Sequence, residues 1–148
     1  MRLLFDTSML VASLVETHPQ HSVALQALKH ISPPDVRIVA AHSLAEIYAT
    51  LTRLPPPLRM PSHQAFGLIE KNILPTFEIV SLSVADYLDV LRHLAKNNLV
   101  SGIIYDALIL RAGVKANADR ILTLNARHFQ RIDPALADRI VDPSAQLP

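Results

Sequence analysis

The sequence contains no cysteine, which excludes disulfide bonds, thiolate metal sites and cysteine nucleophiles. It has only three glycines, and none of them forms a GxxxxGKS/T, GxGxxG or GxSxG motif. The motifs of P-loop nucleotide binding, dinucleotide binding and serine hydrolysis are therefore absent. No uncharged apolar run approaches the roughly 18 residues of a membrane-spanning helix, so we do not expect a membrane protein. The lack of cysteine permits a reducing compartment, and the cytoplasm is the location we expect by default.

Half of the 148 residues are apolar and 18% are charged, a balance typical of a globular protein. A chain of this length buries about two-thirds of its unfolded surface on folding, which is enough for one core. No repeat, long linker or low-complexity segment interrupts the sequence. We therefore expect residues 1–148 to form a single domain. The net charge of +1 does not identify the kind of partner.

Strand-like apolar runs alternate with longer segments of helical period, and this alternation predicts βαβ units around a mostly parallel sheet. The predicted strands are Arg2–Phe5, Arg37–Ala41, Phe77–Ser81 and Arg120–Asn125. The predicted helices are Ser8–Val15, His18–His30, Ser43–Arg53, Ser62–Leu74, a helix from its cap Ser83 to Asn97, and Ile103–Ala116. In the helix after Ser83, the side chains expected to face inward are Val84, Tyr87, Leu88, Leu91 and Leu94.

Four polar residues lie near the ends of predicted strands. Asp6 follows the first strand, Glu46 lies in the first turn of the helix after the second, Asp106 lies near the start of a later helix, and Asn125 ends the last strand. Ligands of open parallel sheets bind beyond the carboxyl ends of the strands, so we expect these side chains to converge there. Clustered carboxylates repel one another unless a cation neutralises them, and oxygen ligands suit Mg²⁺ or Mn²⁺. The pattern predicts metal-dependent hydrolysis of a nucleic-acid backbone.

Two of the three acidic residues also have a structural interpretation, and the third is harder to explain in this way. Asp6 is placed to cap the helix that follows it. Ser43 and Glu46 match the S-x-x-E capping box, which would make Glu46 a helix-start residue. Asp106 lies within an apolar run, where an unpaired carboxylate is costly to bury, so it needs a partner or a metal.

Four segments resemble, in order, the motifs of the PIN-domain family, and together they span nearly the whole chain. They are Leu3–Ser8 (LLFDTS), Ala45–Tyr48 (AEIY), Tyr105–Ile109 (YDALI) and Leu122–Phe129 (LTLNARHF). The short length resembles the VapC-type toxins of toxin–antitoxin pairs. The resemblance implies a three-layer α/β/α sandwich with a parallel sheet, Mg²⁺- or Mn²⁺-dependent endoribonuclease activity, a homodimer and a cognate antitoxin.

The resemblance also implies roles for individual residues. Asp6, Glu46 and Asp106 would be the metal-site acids, with Thr7 or Ser8 helping to hold the site. Many PIN domains have an aspartate where this chain has Asn125. An amide oxygen can coordinate a cation but brings no charge, which leaves a second tightly held metal in doubt. Thr123 is expected to orient its neighbours through its hydroxyl or simply to end a strand.

Two other functions remain open. One is an inactive PIN-like module that binds RNA or a protein, and the other is a phosphatase, although the segment after Phe5 lacks the second aspartate of a D-x-D motif.

Other residues give weaker indications. His18 and His21 lie close together, but two histidines without further ligands do not indicate a zinc site. Arg127 and His128 are either phosphate contacts or solvated loop residues. We expect the helices Ser43–Arg53 and Ser62–Leu74 to pair two subunits in a dimer.

Overall fold

A computed structural model describes residues 1–146 of the chain. The centre of the molecule is a parallel sheet. The strands are β1 (Arg2–Phe5), β2 (Val36–Ala40), β3 (Glu78–Val80), β4 (Arg120–Leu122) and β5 (Ile140–Val141). The helices are α1 (Thr7–Leu14), α2 (His21–Lys29), α3 (Ala41–Arg53), α4 (Ser62–Asn72), α5 (Val84–Lys96), α6 (Ile103–Lys115) and α7 (Ala126–Ile132). A 3-10 helix over Pro134–Arg139 leads into β5.

Within residues 1–146 the sheet has five strands in the order β3-β2-β1-β4-β5, and every neighbouring pair is parallel. The central strand β1 places Leu4 opposite Ile38 of β2 on one side and opposite Ile121 of β4 on the other. The strand order therefore reverses between β1 and β4. In open α/β sheets, the crevice at such a reversal is where ligands bind.

Two apolar cores lie on opposite faces of the sheet, because successive side chains of a strand point to opposite sides. Leu3 and Phe5 pack into a core shared with helices α1 to α4, while Leu4 packs into a core shared with α5, α6 and α7. The predicted single core is thus two cores separated by the sheet. The three layers confirm the expected α/β/α sandwich.

The start of α3 differs from the prediction. The helix begins at Ala41, immediately after β2, so that Ser43 is its third residue and Glu46 lies in its second turn. Ser43 is fully buried, and its hydroxyl has no hydrogen-bond partner among residues 1–146. The capping-box interpretation of Ser43 and Glu46 is therefore wrong.

The capped start of α5 is confirmed, but its inward face is not. Ser83 accepts a hydrogen bond from the backbone of Asp86, whose carboxylate accepts one in return. Asp86 turns inward because it pairs with Arg111 and Lys115 of α6. Four of the five apolar residues expected inside are consequently exposed: Val84, Tyr87, Leu88 and Leu91.

The C-terminal part departs most from the prediction. The strand expected over Arg120–Asn125 ends at Leu122, and helix α7 and strand β5 follow where no element was expected. Both elements are short, and β5 is defined by its pairing with β4 rather than by a local pattern. The other predicted elements agree with the structure to within a few residues at their ends. Across residues 1–146, none of the helices has the length and apolar character needed to cross a membrane.

Candidate active site

Asp6 lies directly beyond the carboxyl end of β1 and is almost fully buried. Its Oδ2 accepts hydrogen bonds from Ser8 Oγ at 2.6 Å and from Thr123 Oγ1 at 2.8 Å. Burial raises the pKa of Asp6, and these hydroxyl bonds oppose the rise. Asp6 occupies the N-cap position of α1, yet in the described part of the chain its carboxylate makes no capping hydrogen bond. The cap interpretation therefore does not explain this side chain.

The two hydroxyl groups also tie the ends of β1 and β4 together. Thr123 Oγ1 accepts from the backbone N–H of Asn125 at 2.9 Å, and Ser8 Oγ accepts from that of Leu124 at 3.1 Å. Each hydroxyl thus donates to Asp6 while accepting from the chain beyond β4. The orientation of Asp6 is fixed by this connection across the crevice where the strand order reverses.

Glu46 is a half-buried residue in the second turn of α3. Its Oε2 accepts a hydrogen bond from Thr7 Oγ1 at 2.9 Å and lies 3.8 Å from Nε2 of His42, one helical turn earlier. Burial raises the pKa of Glu46, and the negative charge of Asp6 raises it further, against the opposing effects of Thr7 and His42. Thr7 therefore links the start of α1 to the second acid.

Asp106 lies in the first turn of α6, as predicted. Burial, followed by the negative charges of Asp6 and Glu46, raises its pKa to about 6. Nδ1 of His128 in α7 lies 3.6 Å from Asp106 Oδ2 and acts in the opposite direction. The structure thus brings the three predicted acids close enough for their charges to destabilise one another.

The donor set at this edge of the sheet consists of carboxylate oxygens, which suits a hard divalent cation. In residues 1–146, no three His, Asp or Glu side chains are positioned to enclose an ion by themselves. Direct binding by all three acids would therefore need side-chain rotation or bridging water molecules. Mg²⁺ retains several waters in most of its protein sites, so an open arrangement fits this ion better than one that must be enclosed.

Other predicted residues lie outside the acidic group or only border it. The side chain of Asn125 is exposed at the start of α7, and its backbone provides the contact with Thr123. Arg127 is also exposed on α7 rather than in a loop. His18 and His21 use ring nitrogens in hydrogen bonds to the backbone, which argues against a zinc pair.

Sequence reasoning missed two aromatic side chains at the site. His42 precedes Glu46 by four residues, a spacing that places both on one helix face. Starting the predicted helix at Ser43 left His42 outside it. Its ring stacks on that of Tyr105 with centroids 5.3 Å apart and planes 5° apart. Tyr105 immediately precedes Asp106, and this position beside a predicted acid is the feature of the sequence that could have identified it.

Comparison with known proteins gives both sequence relatives and structural neighbours. Ribonuclease VapC40 of Mycobacterium tuberculosis is 32% identical over 122 residues, which cover 82% of this chain and 85% of that protein. VapBC2 from Rickettsia felis, solved with a DNA fragment from its promoter, matches with a TM-score of 0.70 and 19% identity over 96% of this chain and 98% of that one. VapC20 of M. tuberculosis, a sarcin-ricin loop cleaving toxin, matches with a TM-score of 0.65 and 15% identity over 80% and 86% of the two chains. No family model matches the sequence.

Proposed function

The chain belongs to the VapC family of ribonucleases, and we propose that it is a metal-dependent endoribonuclease whose active site is the acidic group described above. The observation that best supports the site is the convergence of Asp6, Glu46 and Asp106 at one edge of the sheet, where burial and then the charges of the other two acids raise the pKa of Asp106 to about 6. Such repulsion costs stability unless a cation or a bound proton relieves it. A cation bound there would reduce the repulsion among the carboxylates and would also act on a substrate phosphate.

Asp6, Glu46 and Asp106 would hold Mg²⁺ or Mn²⁺. The bound ion would supply Lewis-acid polarisation of the phosphodiester and acidification of a water molecule. Ser8 and Thr123 would keep Asp6 in the orientation that it has in the structure.

Other residues of this chain would act around the acidic group. Thr7 would hold Glu46 through its 2.9 Å hydrogen bond. Asn125 lies at the rim, where its amide could bind a water or a phosphate oxygen without adding charge. His128, exposed beside Asp106, would meet the RNA backbone. We place this activity in the cytoplasm.

We further propose that the chain is the toxin of a toxin–antitoxin pair, as the family relationship and the structural neighbour VapBC2 suggest. An antitoxin could inhibit it by inserting an arginine or lysine among the three carboxylates, because a side-chain cation can replace the ion there. A co-purified partner that binds a remote surface and leaves RNA cleavage intact would contradict this mode of inhibition.

A homodimer is also part of the proposal. The helices expected to pair expose Tyr48 on α3 and Phe66 on α4. Exposed apolar side chains on two neighbouring helices are consistent with an interface. Sedimentation at micromolar concentration should give the mass of two chains, and a monomer at all concentrations would count against the dimer.

The activity is tested by comparing substrates and ions. Purified protein should cleave a structured RNA in Mg²⁺ or Mn²⁺, should fail to do so in EDTA, and should leave a small phosphoester intact. The Asp106→Asn variant, prepared in parallel, controls for contaminating ribonuclease. Binding of RNA without cleavage under every condition would favour the inactive binding module, and hydrolysis of the small phosphoester would favour a phosphatase.

A further inference from the structure

The stacked pair of Tyr105 and His42 lies at the rim of the acidic group. Tyr105 comes from α6, next to Asp106, and His42 comes from α3, one turn before Glu46. The two helices that provide acids therefore also provide the two rings. The ring planes are within 5° of parallel, and the Tyr105 side chain is 50% exposed.

Burial does not explain this arrangement. A half-exposed aromatic ring gains little from packing, and His42 Nε2, although it lies 3.8 Å from Glu46 Oε2, is buried and makes no hydrogen bond within residues 1–146. An unsatisfied buried polar atom costs stability. The pair instead holds the Tyr105 ring in a fixed plane beside the carboxylates while leaving much of it open to solvent.

A fixed, exposed aromatic ring suits a nucleobase. Proteins that bind single-stranded or looped RNA stack unpaired bases on aromatic side chains, because every base presents a flat π-face. Ordering such a base beside the acidic group would also place the adjoining phosphodiester near Asp106. Tyr105 needs little further ordering to serve in this way, since His42 already sets its plane.

We propose that Tyr105, supported by His42, forms a stacking platform for one unpaired RNA base next to the phosphodiester that is cleaved. This proposal rests on the ribonuclease function and adds to it a binding residue that selects unpaired RNA over duplex. The platform orients the strand, and the chemistry remains with the three acids.

The test measures RNA binding in the full-length Asp106→Asn protein, so that the RNA stays intact. The probe is a short fluorescein-labelled single-stranded RNA of mixed sequence, and fluorescence anisotropy in Mg²⁺ gives the Kd. Adding Tyr105→Ala should weaken binding about 10-fold or more, the loss of one base–aromatic stack. Tyr105→Phe should restore it. The matched control is Tyr87→Ala, which removes an exposed tyrosine from a different helix, α5, and should bind RNA as tightly as the parent protein does.

A series of probes with a single abasic nucleotide at successive positions makes the test specific to stacking. The parent protein should lose about 10-fold in affinity at one position, and the Tyr105→Ala protein should show no further loss there, because the same contact is already missing. Thermal unfolding of each variant checks that it is folded.

The outcomes separate this proposal from the ribonuclease function. Unchanged binding by Tyr105→Ala, equal weakening by Tyr105→Phe, or additive losses in the abasic series would each overturn the platform while leaving cleavage by the unmodified protein in place. Absence of both RNA binding and RNA cleavage by the unmodified protein would overturn the two proposals together.

Discussion

Replacing Asp106 by asparagine distinguishes the effect of the acidic group on folding stability from its role in RNA cleavage. The substitution keeps the size of the side chain and removes one negative charge from a half-buried position beside Asp6 and Glu46. Without a divalent ion, we expect the variant to be more stable than the unmodified protein, because a charged carboxylate is no longer partly buried and the repulsion among the three acids is reduced. With RNA and Mg²⁺, we expect cleavage to fall by about 100-fold or more, because one acid of the proposed ion site is lost.

The size of the stability gain follows from the pKa of Asp106. A rise from the usual value of 3.8 to about 6 corresponds to at most about 3 kcal/mol. Partial exposure of the carboxylate screens the interaction, so we expect a gain of about 1–2 kcal/mol. For a chain of this size, that gain raises Tm by about 3–6 °C.

The pH dependence has a definite sign. Since the folded-state pKa of Asp106 lies above the unfolded value, the folded protein binds more protons between pH 3.8 and about pH 6. Rising pH therefore destabilises the unmodified protein through this window, and the advantage of the variant is complete above it. Below about pH 4 the carboxyl group is protonated in both states, so the advantage should disappear.

Differential scanning calorimetry in EDTA at pH 4 and pH 8 measures this difference, and repeating the scans with Mn²⁺ measures binding of the ion. Added Mn²⁺ should stabilise the unmodified protein and have little effect on the variant. Asp138→Asn, which removes an exposed carboxylate from the 3-10 helix, is the control for loss of charge alone. Full RNA cleavage by Asp106→Asn, or equal stabilisation of both proteins by Mn²⁺, would refute the site assignment.

Three further variants test other parts of the structure. Thr123→Val should lower stability by about 1–3 kcal/mol and weaken cleavage about 10-fold, because Asp6 loses a hydrogen bond. Thr123→Ser keeps the hydroxyl and should keep both the stability and the activity. Equal losses in the two variants would argue against a role for the hydroxyl group. Asn125→Asp should tighten Mn²⁺ binding in calorimetric titration and slightly lower stability in EDTA, since it adds a fourth carboxylate at the rim of the acidic group; weaker binding would contradict this. Asp86→Ala should lower Tm at pH 7 and leave cleavage at 25 °C unchanged. Lys115 and its other partners hold the pKa of Asp86 well below its usual range, so the effect should be complete above about pH 4 and should decrease gradually as pH falls from there toward that lowered pKa. An effect that does not decrease at all below pH 4 would contradict the ion-pair explanation.

Local sequence pattern was sufficient to predict those features of the structure that depend on a single physical rule. Strand β1 was predicted at its exact bounds because a short apolar run ends abruptly at Asp6. The cap at Ser83 was predicted because serine is a preferred residue immediately before a helical apolar stripe, and the structure adds the return hydrogen bond from Ser83 to Asp86. The convergence of the three acids followed from the general geometry of parallel sheets rather than from any contact visible in the sequence.

Tertiary contacts decided the features that local pattern did not reveal. The helical stripe of α5 pointed Tyr87 and Leu88 inward, yet the ion pairs of Asp86 with α6 turn another face toward the core. Strand β5 is two residues long and owes its assignment to pairing with β4. The hydroxyl bonds of Ser8 and Thr123 join residues more than a hundred positions apart, so sequence spacing gave no indication of them.

The placement of the acids explains why their repulsion is not relieved by movement of the chain. Glu46 is held by α3, whose buried residues belong to the core on one face of the sheet, and Asp106 is held by α6, whose buried residues belong to the core on the other. Asp6 sits between them, anchored by hydroxyl groups from both sides of the crevice. To separate the carboxylates, a helix would have to lose contact with its core, and burial of several large apolar side chains outweighs a repulsion of a few kcal/mol. The fold therefore maintains a site whose excess negative charge is most readily compensated by a proton or a cation, which is the condition that a metal-dependent nuclease requires.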